Sequence, residues 1–382
     1  MSHIVFLGLA RNQLDYINAA KRFGYKIIGI DVDSFAIGVD SCDIFIKSSI
    51  NDYENIGKEI KKFNSIIGVI SEQTDNGLLT LGYLNSLFSL NGPNYETVKN
   101  IRDKFKQRKI ANSFQIKQPN FFSVNEFMLK SSDLLKSNKE FLIKPKSGQS
   151  SIGVMDLDTS KVGNIVDYLN NLSLSEDYLI EEKIEGSDYS IDGYIFQEIV
   201  NISLICKKEK YETNKFVDQL LFATSYDKKK DELLFGYVES IIQAFKLDNC
   251  LFHIEVKVKD NDYSLIELTC RGGGSGLSSI LADMLHNGSF TDNRIRLIES
   301  KEIVHPKKID NMEGCLLFFQ SNKGTQASLE EIKKLSVNFI HEAIPGNSSE
   351  EIKDGRNRPE KVIFSYNSHD KKVAINLINK IK

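Results

Sequence analysis

The sequence predicts an α/β and α+β protein: a doubly wound N-terminal domain, a two-lobed central body and a small C-terminal α+β region. Three observations carry this reading. Strand and helix patterns alternate over the first ninety residues, and from residue 120 strands at hairpin spacing are mixed with helices. The chain's 382 residues also exceed the roughly 250 to 300 at which a single core stops growing. The expected segments are 1–93, 94–305 with a lid lobe at about 120–185, and 306–382.

Residues 4–8 (IVFLG) form a short apolar strand, 14–23 a helix ending at Gly24, and 26–30 (KIIGI) a second strand ending at Asp31. Strand, helix and strand within about thirty residues make a parallel crossover unit. A strand at 66–70 (IIGVI) and a helix over 75–88 extend the alternation. The first turn, Gly8-Leu9-Ala10-Arg11-Asn12, lacks the three glycines of a dinucleotide site, so Asp31 is read as structural or on the substrate side. After the turn Asn91-Gly92-Pro93, a charged helix runs over about 95–112 and Pro119 opens a new segment. The C-terminal region alternates strand (314–319), helix (328–334), strand (337–341) and strand (361–366) before a last helix.

Composition excludes several classes. A net charge of −3 without a clustered basic surface gives no case for nucleic acid or for an anionic membrane. The apolar run near the N-terminus is about five residues, too short for a signal sequence or a spanning helix, and a cytoplasmic location is expected. The 5 cysteines form no CxxC pair and are expected as free, buried thiols.

Three stretches carry chemistry. In FLIKPKSGQSSIGV (141–154) a β-type run delivers Lys144, and Ser147, Gly148, Ser150, Ser151 and Gly153 form a small, flexible loop. Glycines let backbone N–H groups converge on an anion and serines add donors, so such a loop can close over phosphates, with Lys144 as a point charge. It is not a Walker A motif, which needs GxxxxGK[ST] before a helix. In YLIEEKIEGSDYSIDGYI (178–195) an exposed strand edge at Glu181, Glu182 and Ile184 offers the backbone donor and acceptor that adenine needs, and Asp188 can accept from ribose hydroxyls.

The third stretch is a hairpin, FHIEVKV (252–258) and SLIELTCRGGGSG (264–276), joined by Asp260-Asn261-Asp262. A turn centred near Asn261 puts Glu255 across from Glu267, and opposed residues in an antiparallel pair lie about 4.5–5.5 Å apart at Cβ. Like charges that close call for a cation, and two hard carboxylates plus phosphate oxygens and water suit Mg²⁺. Thr269 offers a further oxygen to the metal or to one of its waters, and Arg271 points from the same region towards phosphate or a substrate carboxylate. His253, next to Glu255, reads as a base for an attacking amine, a substrate contact, or a packed strand histidine.

Taken in order, these elements resemble the ATP-grasp superfamily of carboxylate-amine ligases over essentially the whole chain. The match runs through Asp103-Lys104, then Lys144-Pro145 with Gly148, Ser150, Ser151 and Gly153, then Glu181 to Gly186 with Asp188, then Glu255, Glu267 and Arg271. The resemblance implies an N-terminal pre-ATP-grasp domain before a two-lobed ATP-grasp fold completed by the C-terminal subdomain. It also implies that Lys104 and Lys144 contact ATP phosphates, that Glu181 to Ile184 hold adenine and Asp188 the ribose, that Glu255 and Glu267 bind Mg²⁺ (or Mn²⁺), and that Arg271 supports an acyl phosphate. Thr269 stands where the family carries asparagine, which leaves the number of metals open.

The function so implied is ATP-dependent amide formation through an acyl phosphate with release of ADP, catalysed with Lys144, Arg271 and His253. The partners would be a small-molecule carboxylate and an amine such as an amino acid, peptide or amino sugar, with a homodimer as the assembly to look for. A non-catalytic ATP-binding regulator is the competing reading, and a carboxylase ranks lower because the chain has no biotinyl carrier motif.

Overall fold

The computed structural model describes residues 2–137, 139–157, 169, 177–227, 231–319, 326–343, 352–356, 358 and 360–381. Its N-terminal layer is a four-stranded parallel sheet built from β1 (His3–Leu7), β2 (Lys26–Asp31), β3 (Ile44–Lys47) and β4 (Ile66–Ile70), in the order β3-β2-β1-β4. Alternate residues of β1 feed opposite cores. Ile4 and Phe6 pack with Leu281 and Ile298, whereas Val5 and Leu7 join the core that holds Leu81 and Leu84. Burial on both faces is what a parallel sheet requires, and it accounts for the apolar runs seen in sequence. The strand at 44–47 and the helix Tyr53–Ile60 were not foreseen. IFIK is only partly buried along its length and too short to carry a period.

Two expected helices are corrected. The span 95–112 is two helices, Tyr95–Arg102 and Lys104–Ser113, because Asp103 leaves helical geometry (φ −102°, ψ 105°) and its side chain caps the second, accepting from the N–H groups of Phe105 and Lys106. Lys104 is thereby the first residue of a helix rather than a mid-helix position. The helix expected from 75 starts at Leu78, so residues 71–77 are a loop at the C-terminal edge of the parallel sheet, where open α/β sheets bind ligands.

The lid is a second four-stranded sheet, order β5-β8-β6-β7, from β5 (Phe121–Ser123), β6 (Phe141–Pro145), β7 (Met155–Leu157) and β8 (Tyr178–Glu182). It has its own core of Phe127, Phe141, Ile143, Leu157 and Ile180. The largest sheet starts with β9 (Ser187–Phe196), β10 (Ile199–Lys210), β11 (Asp218–Ser225), β12 (Cys250–Lys259) and β13 (Asp262–Thr269). A ribbon of β14 (His286–Asn287) and β15 (Lys307–Lys308) follows, and β16 (Met312–Phe318), β17 (Asn338–Ala343) and β18 (Glu360–Asn367) return to the large sheet, whose order is β13-β12-β9-β10-β11-β16-β18-β17. The C-terminal strands therefore lengthen the sheet that carries the hairpin. The helix Glu232–Phe245 covers one face, with Val238, Ile241 and Phe245 against Phe252 and Ile254. Four cysteines are buried and Cys42 is half-buried; all five are free. No helix among the described residues is long and apolar enough to cross a membrane.

Gly193, in the middle of β9, sits where neighbouring strands come closest: a Cβ there would lie 2.1 Å from the carbonyl oxygen of Asn201 and 2.6 Å from the Phe252 ring. Gly193→Ala is expected to cost about 3 kcal/mol, at the upper end for an overpacked core. Urea unfolding measures this, and an unchanged midpoint would contradict the packing described here.

Candidate functional site

A cleft of about 400 Å³ separates the lid from the large sheet. At its floor Glu181, only 1% exposed, joins two cations: Lys144 Nζ at 2.6 Å and Arg108 Nε at 2.7 Å. Arg108, from the helix Lys104–Ser113, also donates to the carbonyls of Leu265 (3.0 Å) and Ile266 (2.6 Å), so it ties the lid to the hairpin. Burial alone would raise the Glu181 carboxyl, but the charges of Arg108 and Lys144 outweigh it and hold it down at about 2. The Glu181 side chain is thus a buried support for Lys144.

Leu142, Ile184 and Ile266 give the cleft an apolar wall. The N–H of Glu182 is bonded to the Asn120 carbonyl (2.8 Å), and its carboxylate meets Asn120 Nδ2 (2.7 Å) and Lys139 Nζ (2.8 Å). The N–H of Ile184, just past the strand, makes no backbone hydrogen bond among the described residues. Asp188 lines the same cleft, with Lys257 Nζ 3.1 Å away.

The loop between β6 and β7 roofs the cleft with Ser147, Gly148, Gln149, Ser150 and Ser151. Ser150 (φ 60°) and Ser151 (φ 59°) are consecutive left-handed residues, a strained conformation for side chains with a Cβ. It is held from outside: Ser151 Oγ donates to the Phe216 carbonyl (2.7 Å), the Ser150 carbonyl accepts from Gly355 N (3.1 Å), and Lys104 Nζ donates to the Gly148 carbonyl (3.1 Å). Gly153 lies behind the loop, where a Cβ would meet the Pro145 ring at 2.9 Å, and it does not line the cleft.

Glu255 and Glu267 pair directly across β12 and β13. The route to that pairing differs from a plain hairpin. Lys259 opposes Asp262 and Val256 opposes Leu265, a register that would put Ile266 opposite Glu255; an irregularity between Glu255 and Val256 absorbs Ile266 and brings Glu267 into place. As a result the consecutive residues Ile266 and Glu267 both line the cleft. Each carboxylate holds a lysine: Lys208 Nζ is 2.5 Å from Glu255 and Lys104 Nζ 2.8 Å from Glu267. No group of three or more metal-binding side chains occurs among the described residues. Two opposed carboxylates with oxygens still to be supplied by a ligand fit an Mg²⁺ ion that arrives with phosphate.

Three neighbours have partners within the protein. Thr269 Oγ1 donates to Asp75 Oδ1 (3.1 Å), so its proton is turned towards the N-terminal domain. Arg271 Nε also binds Asp75 Oδ1, at 2.6 Å. His253 lies 3.0 Å from Asp192 through Nδ1 and 3.5 Å from Glu255 through Nε2. Burial would lower its pKa, but the two carboxylates push it up to about 9. His253 is thus a strand histidine held by ion-pair contacts to Asp192 and to one of the two opposed carboxylates.

A second cleft, of about 330 Å³, adjoins the first. Asp75, Lys208, Asp218, Arg271 and Arg358 line it, and it shares Glu255 and Glu267 with the first. Three polar stretches reach it, through Lys210 and Asp218, through Gly274 and Ser275, and through Gly355 and Arg358.

With the geometry in place, likeness to known proteins can be read. The sequence model of the ATP-grasp domain matches residues 137–279. The chain carries an ATP-grasp domain. No curated protein matches by sequence. Among solved structures, the L-amino acid ligase of Bacillus licheniformis superposes with a TM-score of 0.78 at 17% identity, over 100% of this chain and 98% of that one. Phosphoribosylglycinamide synthetase of Anaerococcus prevotii gives 0.74 at 19%, over 100% and 98%. N5-carboxyaminoimidazole synthetase of Staphylococcus aureus, complexed with ADP, gives 0.77 at 14%, over 100% and 97%. The whole chain, beyond the matched domain, thus has the fold of ATP-grasp proteins.

What sequence reasoning missed lies mainly in the loop after β4. Glu72 Oε2 accepts from Gly272 N (2.9 Å), Gln73 Oε1 accepts from Gly276 N (2.9 Å), and Asp75 takes Arg271 and Thr269. One loop of the N-terminal domain thus orders the glycine-rich end of the ATP-grasp hairpin. The usable signal was the polar run Ser71-Glu72-Gln73-Thr74-Asp75 at the end of a parallel strand, hidden by starting the helix at 75. Lys208 lies in the polar stretch 207–219 and was not singled out, because a lysine on an alternating strand normally marks the wet face; it is 7% exposed.

The Glu181 cluster makes a stability prediction. Glu181→Gln leaves Arg108 and Lys144 uncompensated and is expected to cost about 3 kcal/mol at pH 7. Because the folded carboxyl is held at about 2 against an ordinary 4.5, its contribution is complete above pH 4.5 and is lost as pH falls towards 2. Urea unfolding at several pH values should show the gap between wild type and variant narrowing below pH 4.5; a gap that is constant down to pH 3 contradicts the assignment.

Proposed function

We propose that this protein is an ATP-dependent carboxylate–amine ligase that forms an amide through an acyl phosphate and releases ADP and phosphate. The observation that carries the proposal is the position of Glu255 and Glu267 on the boundary of two clefts. One cleft suits a nucleotide, and the other is small and polar, lined by Arg271 and Lys208.

In this reading adenine lies against Leu142, Ile184 and Ile266, with the Ile184 N–H as its donor, and Asp188 accepts from the ribose. Lys144, fixed by Glu181, and Lys104, at the first turn of its helix, meet phosphate oxygens, and the loop 147–151 roofs them. Glu255 and Glu267 would hold Mg²⁺, which supplies charge neutralisation on the phosphate oxygens. Lys104 and Lys208 then turn from counter-ions of the carboxylates to donors towards phosphate and substrate.

A carboxylate is a poor electrophile; phosphorylation gives it a good leaving group, and positioning with charge stabilisation does most of the work. Arg271, held through Nε by Asp75 and through Nη1 by the Gly272 carbonyl (2.8 Å), offers Nη2 to the developing acyl phosphate. The closed loop keeps out water that would hydrolyse that intermediate. A small-molecule acid and amine are the substrates, and an amino acid, peptide or amino sugar fits the polar lining of the second cleft.

The test is a screen of amino-acid and amino-sugar pairs for release of ADP, with the amide identified by mass. One ADP and one phosphate per amide are expected, and Glu267→Gln should lower turnover roughly 10²- to 10³-fold, the scale seen when a group stabilising transition-state charge is removed. AMP and pyrophosphate as products, or a Glu267→Gln enzyme of normal rate, would overturn the proposal.

A further inference from the structure

The two clefts share Gln149, Ser150, Ser151, Lys210, Glu255 and Glu267, whereas Lys144 and Asp188 line only the first and Arg271 only the second. If the function proposed above holds, on which this inference rests, the phosphoryl group crosses at the shared boundary. Gln149 is one of three loop residues at that boundary, with Ser150 and Ser151, and its side chain reaches the loop after β4. It is half-buried between the exposed Gly148 and Ser150, and its Oε1 accepts from the backbone N–H of Asp75 at 2.8 Å.

Asp75 joins three parts of the molecule. Its N–H holds the lid loop, its carboxylate holds Arg271 Nε (2.6 Å) and Thr269 Oγ1 (3.1 Å), and its carbonyl accepts from Arg102 Nη1 (2.6 Å). Asp75 is almost fully buried, and although burial would raise its carboxyl, the Arg271 charge holds it down, so the pair stays ionised. The other anchors of the loop bind it elsewhere: Lys104 at the Gly148 carbonyl, the Phe216 carbonyl at Ser151 and Gly355 at the Ser150 carbonyl.

We propose that Gln149 and Asp75 form a latch that couples closure of the phosphate loop to the placement of Arg271, so that the arginine is aligned when the loop lies over a triphosphate. Gln149 is then a positioning residue that acts through Asp75, and Asp75 the element that both sites bias. A diphosphate, which leaves the boundary between the clefts empty, engages the latch far less than a triphosphate does.

The test uses the full-length protein and the Mg²⁺ complexes of ADP and of β,γ-methylene-ATP, with affinities measured by calorimetry for wild type, Gln149→Met, Arg271→Lys and the double variant. Methionine keeps the length of glutamine and removes the acceptor, on a loop tip whose change leaves the folded core alone. Loss of one hydrogen bond predicts that Gln149→Met weakens the triphosphate about fivefold and ADP less than about twofold. The double variant should lose less than the product of the two single losses. Equal weakening of both nucleotides would make Gln149 a plain loop anchor, and losses that multiply would show that it does not act on Arg271; either overturns the latch and leaves the proposed function standing. Wild-type protein that binds neither nucleotide overturns both.

Discussion

Two carboxylates face each other on neighbouring strands, and the rest of the site is organised around their repulsion. Charges about 4 Å apart near a protein surface interact by about 4 kcal/mol, so Glu255 and Glu267 cannot share that edge without cations. The chain supplies two, Lys208 and Lys104, from different elements. Each lysine has a second engagement: Lys208 with Asp218 and Lys104 with the Gly148 carbonyl of the loop. The carboxylate pair is therefore wired to the phosphate roof on one side and to the second cleft on the other. A metal that replaces the lysines on the carboxylates would free both for anionic ligands without changing the fold.

The N-terminal domain has a more direct role than its separate sheet suggests. Through Glu72, Gln73 and Asp75 it fixes the backbone of Gly272 and Gly276 and the side chain of Arg271. The buried ion pair of Glu72 with Arg294 (2.5 Å) fastens that loop to the helix Phe290–Glu299. Opening of the lid, which has its own core, would part Gln149 from the Asp75 N–H, whereas the contacts of Glu72 to Gly272 and Arg294 do not involve the lid.

Much of this was legible in the sequence. Apolar runs gave the parallel layer, hairpin spacing gave β12 and β13, and order along the chain brought Lys144, Glu181, Asp188, Glu255 and Glu267 to one cleft. Legibility failed where local structure depends on a single side chain or on a register shift. Asp103 breaks a helix by capping the next one, and the irregularity at Ile266 decides which face Glu267 takes. The expected Glu255–Glu267 pairing was reached by placing the turn centre at Asn261; the observed pairing comes from a tighter turn plus one extra residue. Roles set by long-range partners were illegible: Glu181 binds Arg108 rather than offering its side chain to a ligand, and His253 lies against both Asp192 and Glu255.

The central claim is that Glu255 and Glu267 hold a divalent ion together with a nucleotide. The most direct measurement is binding of Mn²⁺, as a paramagnetic stand-in for Mg²⁺, by electron paramagnetic resonance with and without ADP. The account predicts weak binding to the protein alone, because two carboxylates already paired with lysines make a poor site. ADP should tighten it, and the Glu255→Gln, Glu267→Gln double variant should abolish that tightening while it still binds ADP. Nucleotide-dependent Mn²⁺ binding that survives intact in the double variant would contradict the account.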